Sequence, residues 1–163
     1  MGKVSALDTA IVDLLMEDGR LSCAEIARRI GGVSERAVRY RIARLVREGV
    51  IRVLAIPSPK ALGFPVVADV MIEVEPGRIQ DVACQMAAYE CVSYVACSTG
   101  ERDISIQVVA RDNGELYDFV TGIIGKVPGV RKTTTFLVPL ILKDVYQWRI
   151  PRGCAIDEKG GQT

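Results

Sequence analysis

Arg36, Arg39, Arg41, Arg44 and Arg47 crowd into one short stretch, GGVSERAVRYRIARLVREGVI (31–51), against only two acids, Glu35 and Glu48. A guanidinium is permanently charged, planar and forked, which suits it to phosphate oxygens and to the edge of guanine. Val38, Ile42 and Leu45 recur at helical spacing and mark a buried side. A helix that buries them turns Arg36, Tyr40, Ala43 and Arg47 outward, with Arg39 and Arg44 on the flanks and Arg41 nearer the core, in a structural position. A salt-bridged surface helix would place acids four residues from its bases, and most of these arginines have none. Ser34 supplies the N-cap and leaves first-turn N–H groups free to face a phosphate. The pattern favours contact with double-stranded DNA through Ser34, Arg36, Arg39, Tyr40, Arg44 and Arg47 over a merely solvated face.

Other chemistries find little support. The chain has no histidine, which removes the commonest general base and metal ligand. Cys23, Cys84, Cys91, Cys97 and Cys154 are odd in number and show no CxxC spacing, so free thiols are expected rather than a zinc site. No nucleophile–base or carboxylate pair stands at catalytic spacing, and no cofactor, metal or catalytic residue is expected. At 163 residues, 49% hydrophobic, with mean hydropathy +0.22, the chain has material for one ordinary domain or two small ones. No apolar run reaches the length of a membrane span, and Asp8 and Asp13 interrupt the first segment. Neither a membrane anchor nor a secretory signal is expected, and the reading is cytoplasmic.

Net charge is only +1, but it is unevenly spread. Between Arg20 and Arg52 nine arginines face three glutamates, an excess of +6, whereas from Ala61 onward ten basic residues face thirteen acidic ones, a balance of −3. A basic block on an otherwise acidic chain points to a local anionic partner.

The elements that must position the arginines follow from capping signals and periodicity. Ser5 with Asp8 opens a first helix carrying Leu7, Ile11, Leu14 and Leu15. Ser22 with Glu25 reads as a capping box for a second, Gly31-Gly32 breaks it, and the arginine helix runs to about Glu48 and ends at Gly49. With the extended VIRVLAI (50–56) as a trailing strand, residues 1–56 read as a helix-turn-helix domain of winged-helix type. Pro57-Ser58-Pro59-Lys60 opens a stiff linker, placed at 57–65. Strands over 66–75, 91–98, 103–110 and 130–142 alternate with two helical stripes, Ile79 to Ala87 and Leu116 to Ile124. The order βαββαβ over 66–143 predicts a ferredoxin-like sheet and an α+β chain overall. Both faces of the last strand are substantially apolar while the helices cover one, so a homodimer or higher oligomer is expected. Residues 144–163 form a C-terminal tail, which from Trp148 onward shows no periodicity and reads as loose.

LDTAIVDLLMEDGRLSCAEIARRI, SERAVRYRIARLVREGVI and KALGF resemble the amino-terminal half of the Lrp/AsnC (feast/famine) transcriptional regulators. STGERD (98–103) and VPGVRKTTTFLV (127–138) resemble that family's ligand-sensing RAM domain, with its Gly-x-x-Asp turn and Pro-Gly-Val…Thr strand. The resemblance spans roughly residues 7 to 143. It implies a dimer-based regulator, often an octamer, that binds small effectors, commonly amino acids, in clefts between sensing domains. Carried over residue by residue, the effector contacts are Gly100 and Asp103, with Ser98, Thr99, Thr133 and Thr135. Two departures stand out: Gly31-Gly32-Val33 is one residue longer than the usual turn, and the family pattern does not explain the tail beyond Asp144, with Trp148, Pro151 and Cys154.

Alternatives stay open on the residues alone. Gly100 and Asp103 also fit a tight turn with its cap, and the threonines also fit plain β propensity. A DNA-organising oligomer without effector uses the same basic helix. Some relatives of this architecture are sirohaem decarboxylases, but those depend on histidine, and the chain has none.

Overall fold

Ser5 closes the first strand and opens the first helix. In the computed structural model, which describes residues 4–156, β1 (Val4–Ser5) runs straight into α1 (Ala6–Glu17). The Ser5 hydroxyl accepts the Asp8 N–H at 3.2 Å and the Asp8 carboxylate accepts the Ser5 N–H at 2.9 Å, completing the predicted capping box. α2 (Cys23–Ile30) has only half of its own: Ser22 accepts the Glu25 N–H at 3.2 Å. The Glu25 carboxylate turns instead to Arg28 and Arg29, each at 2.7 Å, because a charge-assisted bond outcompetes a neutral N–H. Those two guanidiniums pull its pKa down to about 2.

Gly31 and Gly32 both hold positive φ, +73° and +68°, so the lengthened turn uses two successive residues without a Cβ. α3 (Glu35–Arg47) follows, with Ser34 accepting the Ala37 N–H at 3.2 Å and Gly49 at φ +69° ending the helix as expected. Ile11, Ile26 and Val38 are fully buried where the three helices meet, and Leu7, Leu14, Leu15, Ile30 and Ile42 pack around them.

The strand expected over 50–56 does not form. A strand exists only through its ladder, and no segment among the described residues pairs with this one. Val53, Leu54 and Ile56 stay more than half exposed.

Residues 57–142 make a second unit. A 3₁₀ turn at Lys60–Leu62 leads into β2 (Val66–Val74), α4 (Ile79–Ala87), β3 (Val92–Cys97), β4 (Ile104–Ala110), α5 (Asn113–Asp118) and β5 (Val130–Leu137). The antiparallel order β3-β4-β2-β5 is the predicted ferredoxin-like sheet. Ala68, Val70, Ile72 and Val74 alternate inward along β2 and join Ile104, Ile106 and Val108 of β4 under Val82, Met86, Leu116 and Phe119 of the helices. A π turn at Phe119–Ile123 extends α5 and breaks its 3.6-residue period, which carries Ile123 out of the expected stripe to 39% exposure.

β5 is shorter than expected, ending at Leu137 rather than near Leu142. Val138 donates to Val67 at 2.8 Å, and Pro139 then offers no N–H to continue the ladder. Within β5, Thr133 and Thr135 stand opposite Ile72 and Val70 on the helix-covered side, while Thr134 and Phe136 stand opposite Met71 and Asp69 on the open side.

From Lys143 the chain rejoins the first unit. The expected loose tail is ordered up to Ile156. Asp144 caps a 3₁₀ turn at Val145–Gln147, Arg149 reaches Asp13 at 3.5 Å, and β6 (Ala155–Ile156) pairs in parallel with β1. Backbone pairing of this kind leaves no side-chain period to read. The remainder of the predicted tail, 157–163, lies outside the described residues.

Candidate functional site

α3 carries two sets of arginines. Val38 and Leu45 are fully buried, so the helix cannot rotate without exposing them. That fixes Arg36, Arg39, Tyr40 and Arg47 on the exposed side, beside the exposed cap Ser34. Tyr40 is 65% exposed, so its ring and hydroxyl are free to meet a partner. Arg39 is paired with Glu35 one turn away, but its side chain remains 70% exposed. A surface pair of this kind is worth about 0.3–0.5 kcal/mol and yields readily to a phosphate.

The second set faces inward. Arg41 Nη1 lies 3.1 Å from Asp8 Oδ1 and 3.0 Å from Ser5 Oγ, and Arg44 Nη2 lies 2.6 Å from Asp8 Oδ2. Asp8 is fully buried. Burial pushes its carboxyl up, but the Ser5 N–H and hydroxyl and the two guanidiniums outweigh that and hold it below the ordinary carboxylate range. Arg41 is therefore structural, as its position on the wheel implies. Arg44, grouped by the sequence with the outward residues, is brought to Asp8 instead. Sequence reasoning read Asp8 only as a helix cap and missed its hold on the arginines, although a signal exists: it falls at helical spacing with Ile11, Val12 and Leu15, a charge inside an apolar stripe.

In the second unit the turn from Ser98 to Asp103 joins β3 to β4. Gly100 holds φ +136°, and a Cβ there would meet open space. Asp103 Oδ2 accepts the Val74 N–H at 2.7 Å and Ser98 Oγ donates to the Arg102 carbonyl at 2.7 Å. Arg102 pairs with Glu73 of β2, and Lys132 approaches the same carboxylate at 3.7 Å. These contacts tie the turn to the sheet; Thr99 is exposed. Thr133 and Thr135 do not meet the turn within one chain, because β2 runs between β5 and β4.

The open side of the sheet carries a row across all four strands, Tyr94, Gln107, Asp69 and Phe136. Gln107 Nε2 donates to Asp69 Oδ1 at 3.2 Å, and the rings of Tyr94 and Phe136 at either end are 51% and 54% exposed. Among the described residues no cluster of three potential metal ligands occurs, and no helix is long and apolar enough to cross a membrane.

Two family models match the chain in succession. Residues 5–46 match the AsnC-type helix-turn-helix domain and residues 67–147 the Lrp/AsnC ligand binding domain. An HTH-type transcriptional regulator of Pyrococcus abyssi is 40% identical over 151 residues, 92% of each chain. AsnC of E. coli superposes with a TM-score of 0.81 at 24% identity, over 89% of this chain and 99% of that one. A transcriptional regulator of Neisseria meningitidis, solved as a complex with L-Met, superposes with a TM-score of 0.80 at 21% identity, over 87% of this chain and 94% of its own. At those identities the two structures speak for the fold alone.

Proposed function

The chain belongs to the Lrp/AsnC family of transcriptional regulators, and from that premise we propose that it grips double-stranded DNA with Ser34, Arg36, Arg39, Tyr40 and Arg47 and answers to an amino-acid effector. It is a regulator with a helix-turn-helix and a ligand-binding domain, not an enzyme. The observation that carries the DNA reading is the outward set on α3, held in place by the burial of Val38 and Leu45 behind it. An α-helix fits the major groove, where arginine and tyrosine reach base edges and flanking arginines reach phosphates.

For the effector, the candidate site is the turn Ser98–Asp103, with Thr99 and Gly100 exposed and Gly100 permitting close backbone approach. Thr133 and Thr135, two strands away, would complete the shell only from a neighbouring subunit. The Neisseria regulator's L-Met complex makes amino acids the first ligands to try. Dimerisation would use the open side of the sheet, whose Tyr94 and Phe136 rings lack cover, and higher assembly up to an octamer is compatible with it.

One observation supports a second reading, an oligomer that organises DNA without an effector. The side chains of Ser98 and Asp103 are already occupied within the chain. Selection of genomic fragments with and without pooled amino acids tests both. A regulator enriches discrete fragments and changes them with the pool; an organising protein enriches none, and no amino acid raises its melting temperature.

A further inference from the structure

Five arginines on one helix would make an indiscriminate DNA binder, since phosphate contacts add affinity without adding sequence information. α3 does not present five. We propose that Asp8 withholds Arg41 and Arg44 from nucleic acid, so that the helix meets DNA with Arg36, Arg39 and Arg47 alone, and that Asp8 thereby sets the ratio of selective to indiscriminate binding. The inference rests on the reading that α3 contacts DNA.

The geometry is that of a saturated anion. Asp8 Oδ2 accepts from the Ser5 N–H and the Ser5 hydroxyl, both at 2.9 Å, and from Arg44 Nη2 at 2.6 Å, while Oδ1 accepts from Arg41 Nη1 at 3.1 Å. Three of those bonds converge on Oδ2 and one on Oδ1, so both carboxylate oxygens are engaged away from solvent. Ser5 Oγ is equally used: it donates to Asp8 and accepts from the Asp8 N–H and from Arg41. The two guanidiniums are drawn inward, their side chains 20% and 24% exposed against 70% for Arg39. Arg44 Nε is even buried without a hydrogen-bond partner, a cost accepted in reaching Asp8.

A phosphate could recruit either arginine only by breaking its bond to the buried carboxylate and leaving a fully buried oxygen with one acceptor position unfilled, a cost that an exposed pair does not carry. Arg39 meets no such barrier, because its partner Glu35 is half exposed and solvates freely. The buried acid on α1 thus helps to sort the charges of α3 into those shown and those kept.

The test uses the full chain and a labelled duplex of random sequence, with affinity followed against potassium chloride. Asp8→Asn keeps a hydrogen-bonding group but discharges the clamp. The log–log salt slope should steepen by about 0.9 for each arginine released, up to about 1.8. Preference for a selected genomic fragment over the random duplex should fall in parallel. An unchanged slope in folded Asp8→Asn protein overturns the inference. Arg44→Gln is the second variant, able to hydrogen-bond Asp8 without the charge. Its slope should equal that of the wild type, and a slope shallower by about 0.9 means that Arg44 sits on a phosphate and the inference is wrong. If Asp8→Asn does not fold, Arg44→Gln decides alone. Failure of the DNA reading looks different: an Arg36/Arg39/Arg47 triple alanine protein would keep the wild-type slope.

Discussion

Arg44 Nη2 stands 2.6 Å from Asp8 Oδ2 across 36 residues of chain, joining the last turn of the arginine helix to the first turn of α1. The carboxylate is fully buried, and removing one side of such a cluster leaves charges without compensation. Asp8→Ala also deletes half of the α1 capping box. The expected loss is about 3 kcal/mol of unfolding free energy, read by urea titration of the full chain. A loss below about 0.5 kcal/mol would show that the cluster contributes nothing net.

The same cluster dictates an acid limb. The native Asp8 carboxyl titrates below its ordinary 3.8, so it binds fewer protons folded than unfolded just below that value. Its contribution is therefore fully present above about pH 4 and is lost as pH falls through the lower native value. Melting temperature should drop on acidification below pH 4, and Asp8→Asn should flatten that drop. An equally steep limb in the variant would place the acid sensitivity elsewhere.

Asp103 separates fold from sensing. Because its carboxylate accepts the Val74 N–H at 2.7 Å, Asp103→Ala should cost about 1–3 kcal/mol by stranding that donor. Asp103→Asn keeps an acceptor and should melt near the wild type, yet lose the charge that would meet an effector's ammonium. Calorimetric titration with amino acids should then show binding to the wild type and at least tenfold weaker binding to Asp103→Asn. Equal affinity in both would confine Asp103 to holding the sheet.

The open sheet face predicts association. Phe136 and Tyr94 flank the Asp69–Gln107 pair, and an aromatic anchor in an interface is worth about 2 kcal/mol. The wild type should sediment as a dimer or larger at micromolar concentration, and Phe136→Lys should shift it toward monomer. A monomeric wild type contradicts the assignment.

Much of this was legible before any coordinates. The caps Ser5, Ser22 and Ser34, the stop at Gly49 and the alternation along β2 are local signals, and each falls where the residues place it. What escaped was non-local. Asp8 and its arginines lie 33 and 36 residues apart, and no helical wheel of α3 contains the partner that turns Arg44 inward. Thr133 and the Ser98–Asp103 turn, grouped only by the family resemblance, lie on opposite sides of β2 in the sheet order. The segment 50–56 has strand composition without a strand partner, and β6 has a partner without strand periodicity.

The claim on which the rest depends is that the outer face of α3 is the DNA surface. Salt dependence of DNA affinity measures it most directly, comparing the wild type with the Arg36/Arg39/Arg47 triple alanine variant after circular dichroism confirms that both are folded. The log–log slope should become shallower by about 0.9 for each of the three arginines that sits on a phosphate, Arg39 at least and about 2.7 at most, with affinity at low salt falling as well. A triple variant with the wild-type slope and affinity would contradict the account.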